Sequence, residues 1–401
     1  MIDKEKIEQT LKEFSFPRLS GTKSEMGAFQ AAKEKIEDLG LFPQIQEFTF
    51  STFYSRVYSK LSAFLLFWLM FIIFLNISVL ITILNSLVIV GIFIPLLIIT
   101  RNPEKIKFGK TFKSHNIYLK LKPNNDEKYK SDKQFTKESF NDNGRGDVLF
   151  LCHLDSKSQK LTINLRVLSV KAYSYSLIAL TTLIIIRTII VRELVFLINL
   201  LGLICIVILA IATFLIIINF SGNKSNGAID NASGIAIVFG LLNYYFNRET
   251  RPKKYNLWFV FTGAEETGTM GIRNFYNSNN SFDKKSSLVF NFDSIGRNID
   301  AFGKLSNSYS HKKFNKLFRQ EALKADITYQ LSRISIGIHS DGVFLLGNKN
   351  YVGAGFGDES VYKYIHSTQD TIDKVNTSTL QKLCEFIVNL LTKIDKNSNY
   401  P

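Results

Sequence analysis

The chain has 401 residues, enough for one large domain or two ordinary ones, and carries 49 Lys+Arg against 34 Asp+Glu, a formal charge of +15. The charge is unevenly spread: two long stretches hold almost none, and the basic residues crowd around them. No nucleic-acid-binding motif is present, so the positive balance reads as affinity for an anionic membrane surface. Cys152, Cys205 and Cys384 are odd in number, far apart and without a CxxC pair, which excludes a disulfide framework and a thiolate zinc site.

The opening MIDKEKIEQTLKEF is charged and amphipathic and lacks the apolar core of a signal peptide, so export by a cleaved signal is not expected. Thr22 or Ser24 is placed to cap a helix ending near Gly40, with Glu25, Ala28, Ala31, Ile36 and Leu39 at helical spacing. Leu61 to Thr100 then run for 40 residues without Asp, Glu, Lys or Arg. As a helix they would span about 60 Å, twice the ~30 Å hydrocarbon core, so the stretch predicts a hairpin of two crossings. Asn76, Ser78, Asn85 and Ser86 mark the region of its turn.

Pro123 to Gly146 is polar, rich in Asn, Asp and Lys, and reads as a mobile loop. The second apolar block runs from Tyr173 to Phe220, broken by Arg187 and Arg192-Glu193, and reads as another hairpin. Arg187 lies one turn from the expected helix end, where a long side chain snorkels to the interface; a buried functional charge is the alternative. Neither block has the polar face of a core helix in a soluble protein. Arg56, Lys60, Arg101, Lys105, Lys107, Lys110 and Lys113 flank the first hairpin, and Lys160, Arg166, Lys171 and Lys224 the second. That bias puts both termini and all the polar sequence on the cytoplasmic side of the membrane.

The polar remainder reads as an α/β domain. DVLFLCHLD, YNLWFVFTG and SLVFNFD are short apolar runs bounded by turn residues, as expected of strands buried on both faces. ASGIAIVFGLLNYYF and TMGIRNFYN carry helical patterns, and there is no internal repeat. Each strand-like run ends in metal-binding side chains: His153 and Asp155, Glu265 and Glu266, and Asp293. Asp230 follows the second hairpin at what reads as a helix start, and His366 sits in YKYIHSTQDT. Singly these are an N-cap, a solvated Glu pair and a structural His. Together two His and three carboxylates form an N/O donor set suited to zinc or a similar divalent ion. Positions i and i+2 of a strand point the same way, so Asp155 is placed behind His153, where a carboxylate fixes the tautomer of a ligating imidazole. Cys152 reads as a small buried strand residue.

HLDS, GAIDNASG, TGAEETGTMG, NFDSIG and IHSTQDTIDKV, with the earlier PRLSGTKSEMGAFQAAKEKIEDLGL, resemble in order the motifs of the co-catalytic di-zinc peptidases. That is the family of aminopeptidase Y, aminopeptidase S and the glutamate carboxypeptidases, and the likeness covers the polar chain from Pro17 to Val375. It implies a zinc-exopeptidase-like α/β domain, with a mixed, mostly parallel sheet flanked by helices, interrupted by the two transmembrane hairpins. Its parts are then residues 1–57, 101–172 and 221–401, with hairpins at 58–100 and 173–220. The resemblance implies that Asp230 bridges two Zn2+ ions, His153 and Asp293 complete one site, and Glu266 and His366 the other. Glu265 is implied as general base and Asp155 as the partner of His153. The expected substrates are peptide or protein N-termini. His339, in IGIHSDGVFLL, falls in a segment that lines the pocket in relatives and reads as a wall residue.

The soluble relatives close the gap between His153 and Asp230 with a short loop; here it holds the whole second hairpin. Both hairpins must therefore cross the membrane an even number of times, which four crossings satisfy. Asp230 lies ten residues past Phe220, and at ~3.3–3.6 Å per extended residue the site lies within about 35 Å of the membrane boundary. An enzyme trimming substrates presented at the membrane face is expected. A carboxypeptidase of the same family, for which Arg297 or Arg333 would recognise the C-terminal carboxylate, is one alternative. A glutaminyl cyclase-like acyltransferase and a non-catalytic receptor or scaffold are the others.

Overall fold

The computed structural model describes residues 1–124, 146–189, 192–279, 282, 284, 286–332 and 340–396. The loop expected over 123–146 falls almost wholly outside the described residues, as do Arg333 and His339. In chain order, α1 (Lys4–Phe14), α2 (Lys23–Glu37) and β1 (Gln44–Ser51) lead to α3 (Ser59–Leu75) and α4 (Val79–Ile99). Then come β2 (Thr111–Leu121), β3 (Gly146–His153) and a small ribbon of β4 (Ser158–Gln159) and β5 (Ser221–Gly222), between whose strands lie α5 (Ile163–Ile189) and α6 (Arg192–Ile218). The remainder is α7 (Ser233–Phe246), β6 (Tyr255–Thr262), α8 (Met270–Ser278), β7 (Leu288–Phe292), β8 (Asp300–Lys304), α9 (Tyr309–Lys324), β9 (Thr328–Ser332), β10 (Val352–Gly357) and α10 (Thr377–Lys396). Two compact units result. The first comprises Met1–Thr49, Lys113–Ser158 and Asn223–Pro401; the second comprises Phe50–Phe112 and Gln159–Gly222.

The first unit is built on an eight-stranded sheet of order β1-β2-β6-β3-β7-β10-β8-β9. β6, β3, β7 and β10 are parallel neighbours at its centre, while β2 and β8 pair antiparallel to β6 and β10. Every residue of β3, β6 and β7 is buried, as strands covered on both faces require. Side chains alternate across the sheet. Val148, Phe150 and Cys152 join the core with α1, α2, α7 and α10, whereas Leu149 and Leu151 meet Trp258, Val260, Ile272 and Phe275 on the other face. The helix α7 is central, with Ser233 to Leu242 buried without a break and α1 and α10 packed on it. Asp3 caps α1 through Glu5 N and Lys6 N, and Thr22 caps α2 through Glu25 N. Because the central strands are parallel, His153, Glu265 and Asp293 all emerge at one edge, where α/β folds place their sites.

The second unit holds four helices long and apolar enough to cross a membrane: Phe53–Leu75, Val79–Ile99, Ile163–Ile189 and Glu193–Ile218. Their outer faces carry large exposed apolar side chains, among them Val79, Leu80, Leu87, Ile189 and Phe196. The first turn falls at Asn76–Ser78, where Asn76 adopts a left-handed φ of 48°. Asn85 and Ser86 are not part of it. They lie inside α4 and bond the carbonyls of Ile81 and Thr82, which satisfies their polar groups without breaking the helix. The helix α5 begins at Ile163, ahead of the apolar block that starts at Tyr173, so Arg166 and Lys171 lie on its N-terminal part. Arg187 neither snorkels freely nor forms a buried ionic site. It donates to the carbonyls of Phe74 (2.9 Å) and Ile73 (3.4 Å) and to Asn199 Oδ1, so it caps the open end of α3. In the same unit α5 pairs with α6 and α3 packs against both, Gly202 admitting the ring of Phe74 where a Cβ would lie 2.3 Å from it.

Candidate metal centre

The donors assemble around Asp230, whose two carboxylate oxygens face two different imidazoles. Oδ1 lies 3.1 Å from His153 Nε2 and Oδ2 lies 3.0 Å from His366 Nε2. His153 Nε2 is 3.7 Å from Asp293 Oδ1, and His366 Nε2 is 3.1 Å from Glu266 Oε1. Two groups of three donors therefore share one residue: His153, Asp230 and Asp293; and Asp230, Glu266 and His366. Donors held ~2.0–2.1 Å from a tetrahedral ion stand about 3.3 Å apart, and the His–carboxylate separations here run from 3.0 to 3.7 Å. His153 Nε2 and Glu266 Oε1 are buried atoms with no hydrogen-bond partner among the described residues. Leaving such atoms unpaired is costly unless a ligand satisfies them, so the residues present fit a pair of divalent cations.

Each donor is held from behind. The Nδ1 of His153 is 3.0 Å from the carbonyl of Asp155, which leaves Nε2 with the free lone pair. The Asp155 carboxylate is farther from the ring, at 3.5 Å, so the expected carboxylate–imidazole contact is secondary. Its main partners are the backbone N–H groups of Glu265 and Glu266, each at 3.0 Å, together with the Ser20 hydroxyl. Asp155 thus fixes the turn presenting both glutamates. Ala264 opens that turn in the left-handed region (φ 52°), and its N–H donates to Glu25 Oε1.

The Asp230 loop has its own clamp. Asp370 accepts from Ile229 N (2.6 Å) and Asp230 N (3.4 Å) and from the Ser225 hydroxyl. Burial, reinforced by the nearby Asp230 charge, pushes the Asp370 carboxyl up to about 7. Arg18, fully buried, donates to the carbonyls of Leu154 (2.8 Å), Asn226 (3.0 Å), Gly227 (3.1 Å) and Phe16 (2.8 Å), and to that of Phe14. One guanidinium therefore joins the loop after β3 to the loop before Asp230. Gly227 is required between them: its φ is +60°, and a Cβ would lie 2.5 Å from Ser156 Cβ and 2.9 Å from Arg18 Nη2.

Glu265 is buried beside these donors. Burial raises its pKa well above the usual carboxylate range, His153 opposes the rise, and Glu266, Asp293 and Asp341 add to it. Asp341 is likewise buried, bonds the Thr262 hydroxyl, and is pushed up to about 7 by burial. Sequence reading had drawn all seven site residues together but had assigned no role to Arg18, Asp341, Asp370 or Lys157. For Asp341 and Asp370 a signal existed, since both lie inside the quoted HSDG and HSTQDT segments. Arg297 is exposed; its backbone N–H donates to Asp358 Oδ2 at 2.7 Å and its guanidinium to the Asp373 carbonyl at 3.1 Å.

Two donor groups thus meet on one aspartate at the sheet edge, an arrangement that suits two divalent cations. Residues 212–391 match the model of Peptidase family M28, and that stretch holds Asp230, Glu265, Glu266, Asp293 and His366. No curated protein matches the chain. Among solved structures it is similar to an aminopeptidase from Aneurinibacillus sp. strain AM-1, with a TM-score of 0.54 at 15% identity over 98% of this chain and 93% of that one. It is also similar to BSAP, a zinc aminopeptidase from Bacillus subtilis, with a TM-score of 0.55 at 13% identity over 100% and 98% of the two chains. A glutaminyl cyclase from Bacteroides thetaiotaomicron shares the fold as well, with a TM-score of 0.52 at 13% identity over 98% of each chain.

Proposed function

We propose that the protein is a membrane-embedded di-zinc aminopeptidase whose catalytic unit faces the cytoplasm. The observation that carries this reading is the divided Asp230 carboxylate, one oxygen toward each donor group. In it Asp230 would be shared by two zinc ions, with His153 and Asp293 completing one site and Glu266 and His366 the other. When bound, the ions supply an acidified water and polarise the scissile carbonyl. Glu265, buried and next in sequence to a donor, takes the proton from the attacking water and returns it to the leaving amine. Its raised pKa suits the protonated half of that cycle, and a neighbouring cation favours the ionised half. Asp155 keeps Glu265 and Glu266 in register through their backbone N–H groups.

Both donor groups are complete, which favours a hydrolase over a single-metal cyclase or a scaffold that has lost ligands. Nothing at Arg297 favours the carboxypeptidase, because its guanidinium is engaged with the Asp373 carbonyl. The four long apolar helices, with their basic flanks, support the membrane-embedded form and the cytoplasmic orientation, in which the enzyme acts on N-termini presented at the membrane face.

The test is metal analysis of the detergent-purified protein, with peptides whose N-terminus is free or blocked. About two zinc per chain and release from the free peptide alone are expected. Glu265→Gln should lower kcat by roughly 10²–10⁴-fold while keeping both metals. Cleavage of the blocked peptide from its C-terminus would reassign the enzyme as a carboxypeptidase.

A further inference from the structure

Among the described residues, Lys157 is the lysine that forms an ion pair with a candidate metal donor. Its Nζ lies 2.5 Å from Glu266 Oε2 and 3.5 Å from the Glu266 carbonyl, and its side chain is only 17% exposed. Glu265 and Asp230 also face it. The Glu266 carboxylate is thereby divided: Oε2 belongs to Lys157, while Oε1, buried and without a hydrogen bond, faces His366. Among the described residues no Lys or Arg forms an ion pair with Asp293, the carboxylate that belongs to the first group alone, so the two groups differ in charge.

Resting on the di-zinc reading above, we propose that Lys157 is a positioning residue for the second metal: it leaves Glu266 a single free oxygen and makes this position the weaker of the two. Two opposed effects follow from one contact. The ammonium orders Glu266 and offsets part of the charge of the clustered carboxylates, so the site is pre-formed before an ion arrives. The same charge repels a divalent cation at short range in a desolvated setting, where such repulsion far exceeds its value in water. The second metal is then the exchangeable one, and its occupancy follows the free divalent ion concentration.

The experiment is stepwise zinc binding to the metal-free full-length protein in detergent, followed with a competing chelating dye, for wild type, Lys157→Met, Lys157→Gln and Lys157→Arg. Wild type should show two steps of unequal affinity. Lys157→Met and Lys157→Gln should tighten the weaker step about tenfold or more and leave the tighter step unchanged. Lys157→Arg should behave as wild type. The melting temperature of each metal-free variant reports folding independently, and Lys157→Gln, which keeps a hydrogen-bonding side chain, serves if Lys157→Met does not fold. A weaker step that is unchanged or loosened in both neutral variants, or a parallel change in both steps, would overturn the inference and leave the di-zinc reading intact. Failure of wild type to bind two ions would instead remove the reading on which it rests.

Discussion

Replacing Arg18 by Met removes a side chain that bonds the loops on either side of the metal centre. Five carbonyls lose a charge-assisted partner, those of Phe14, Phe16, Leu154, Asn226 and Gly227. Such bonds are worth ~1.5–3 kcal/mol each, but the guanidinium is fully buried and its desolvation offsets much of that sum. Burial also draws the Arg18 pKa down to about 10, with Asp370, Asp155 and Asp230 opposing the fall, so it remains charged at neutral pH. The net loss expected is about 3–5 kcal/mol, the range for breaking a buried charged network. For a unit of this size that is a melting shift on the order of 10 °C. Arg18→Lys keeps the charge but not the fork, so it should recover only part of the loss. The assay is thermal unfolding in detergent with and without zinc, beside zinc titration of the folded protein at low temperature. Zinc affinity should fall with stability, because the Leu154 and Gly227 loops carry the neighbours of His153 and Asp230. An Arg18→Met protein that melts within 2–3 °C of wild type and binds zinc normally would refute the clamp, the threshold being set by roughly 1 kcal/mol.

Three further outcomes are expected. Glu25, raised to about 8 by burial and by the Asp155 charge, holds its proton in the folded state where an unfolded Glu, at ~4.3, has lost it. Metal-free stability should therefore fall as pH rises from about 4.3 and level off above about 8, with a shallower slope in Glu25→Gln, as melting curves across this range would record. Asp370→Asn keeps the size but weakens the acceptor for Ile229 N and Asp230 N, and zinc affinity should drop by roughly 10–100-fold in the same dye competition. Gly202→Val should lower the melting temperature of the detergent-solubilised protein through a ~1–3 kcal/mol clash with Phe74, without changing bound zinc.

The donor residues were legible in the sequence: His153 ends a strand, Glu265, Glu266 and Asp293 follow strands and Asp230 precedes α7, so local pattern and donor chemistry coincide there; His366, in a turn, has only its motif. The residues that hold these donors were not legible. Arg18 meets partners near positions 154 and 227, Glu25 meets Ala264, and Asp370 meets Ile229, all across long stretches of chain that no local period reveals. Lys157 carries no local signal either, since nothing near it in the sequence places Glu266 beside it. In the membrane-type helices, composition located the hairpins but misplaced details. Asn85 and Ser86 turned inward on their own helix, and the Arg166 and Lys171 charges hid the first turns of α5. Strand alternation places Asp155 behind His153, where its carboxylate lies 3.5 Å from Nδ1; because the chain leaves β3 at His153, the same carboxylate also reaches the glutamate turn, which no alternation reveals.

The ribbon of β4 and β5 pairs Ser158–Gln159 with Ser221–Gly222, so the excursion that carries α5 and α6 leaves and returns at one place. Loop closure becomes more costly only slowly with length, about 0.6 kcal/mol for each doubling. Once Arg18 and Asp370 grip the chain on either side, what lies beyond the ribbon has little thermodynamic hold on the donors. At the ribbon itself the chain is pinned into one short crossing, so a change in the length of the excursion is felt there as little more than a change in a loop.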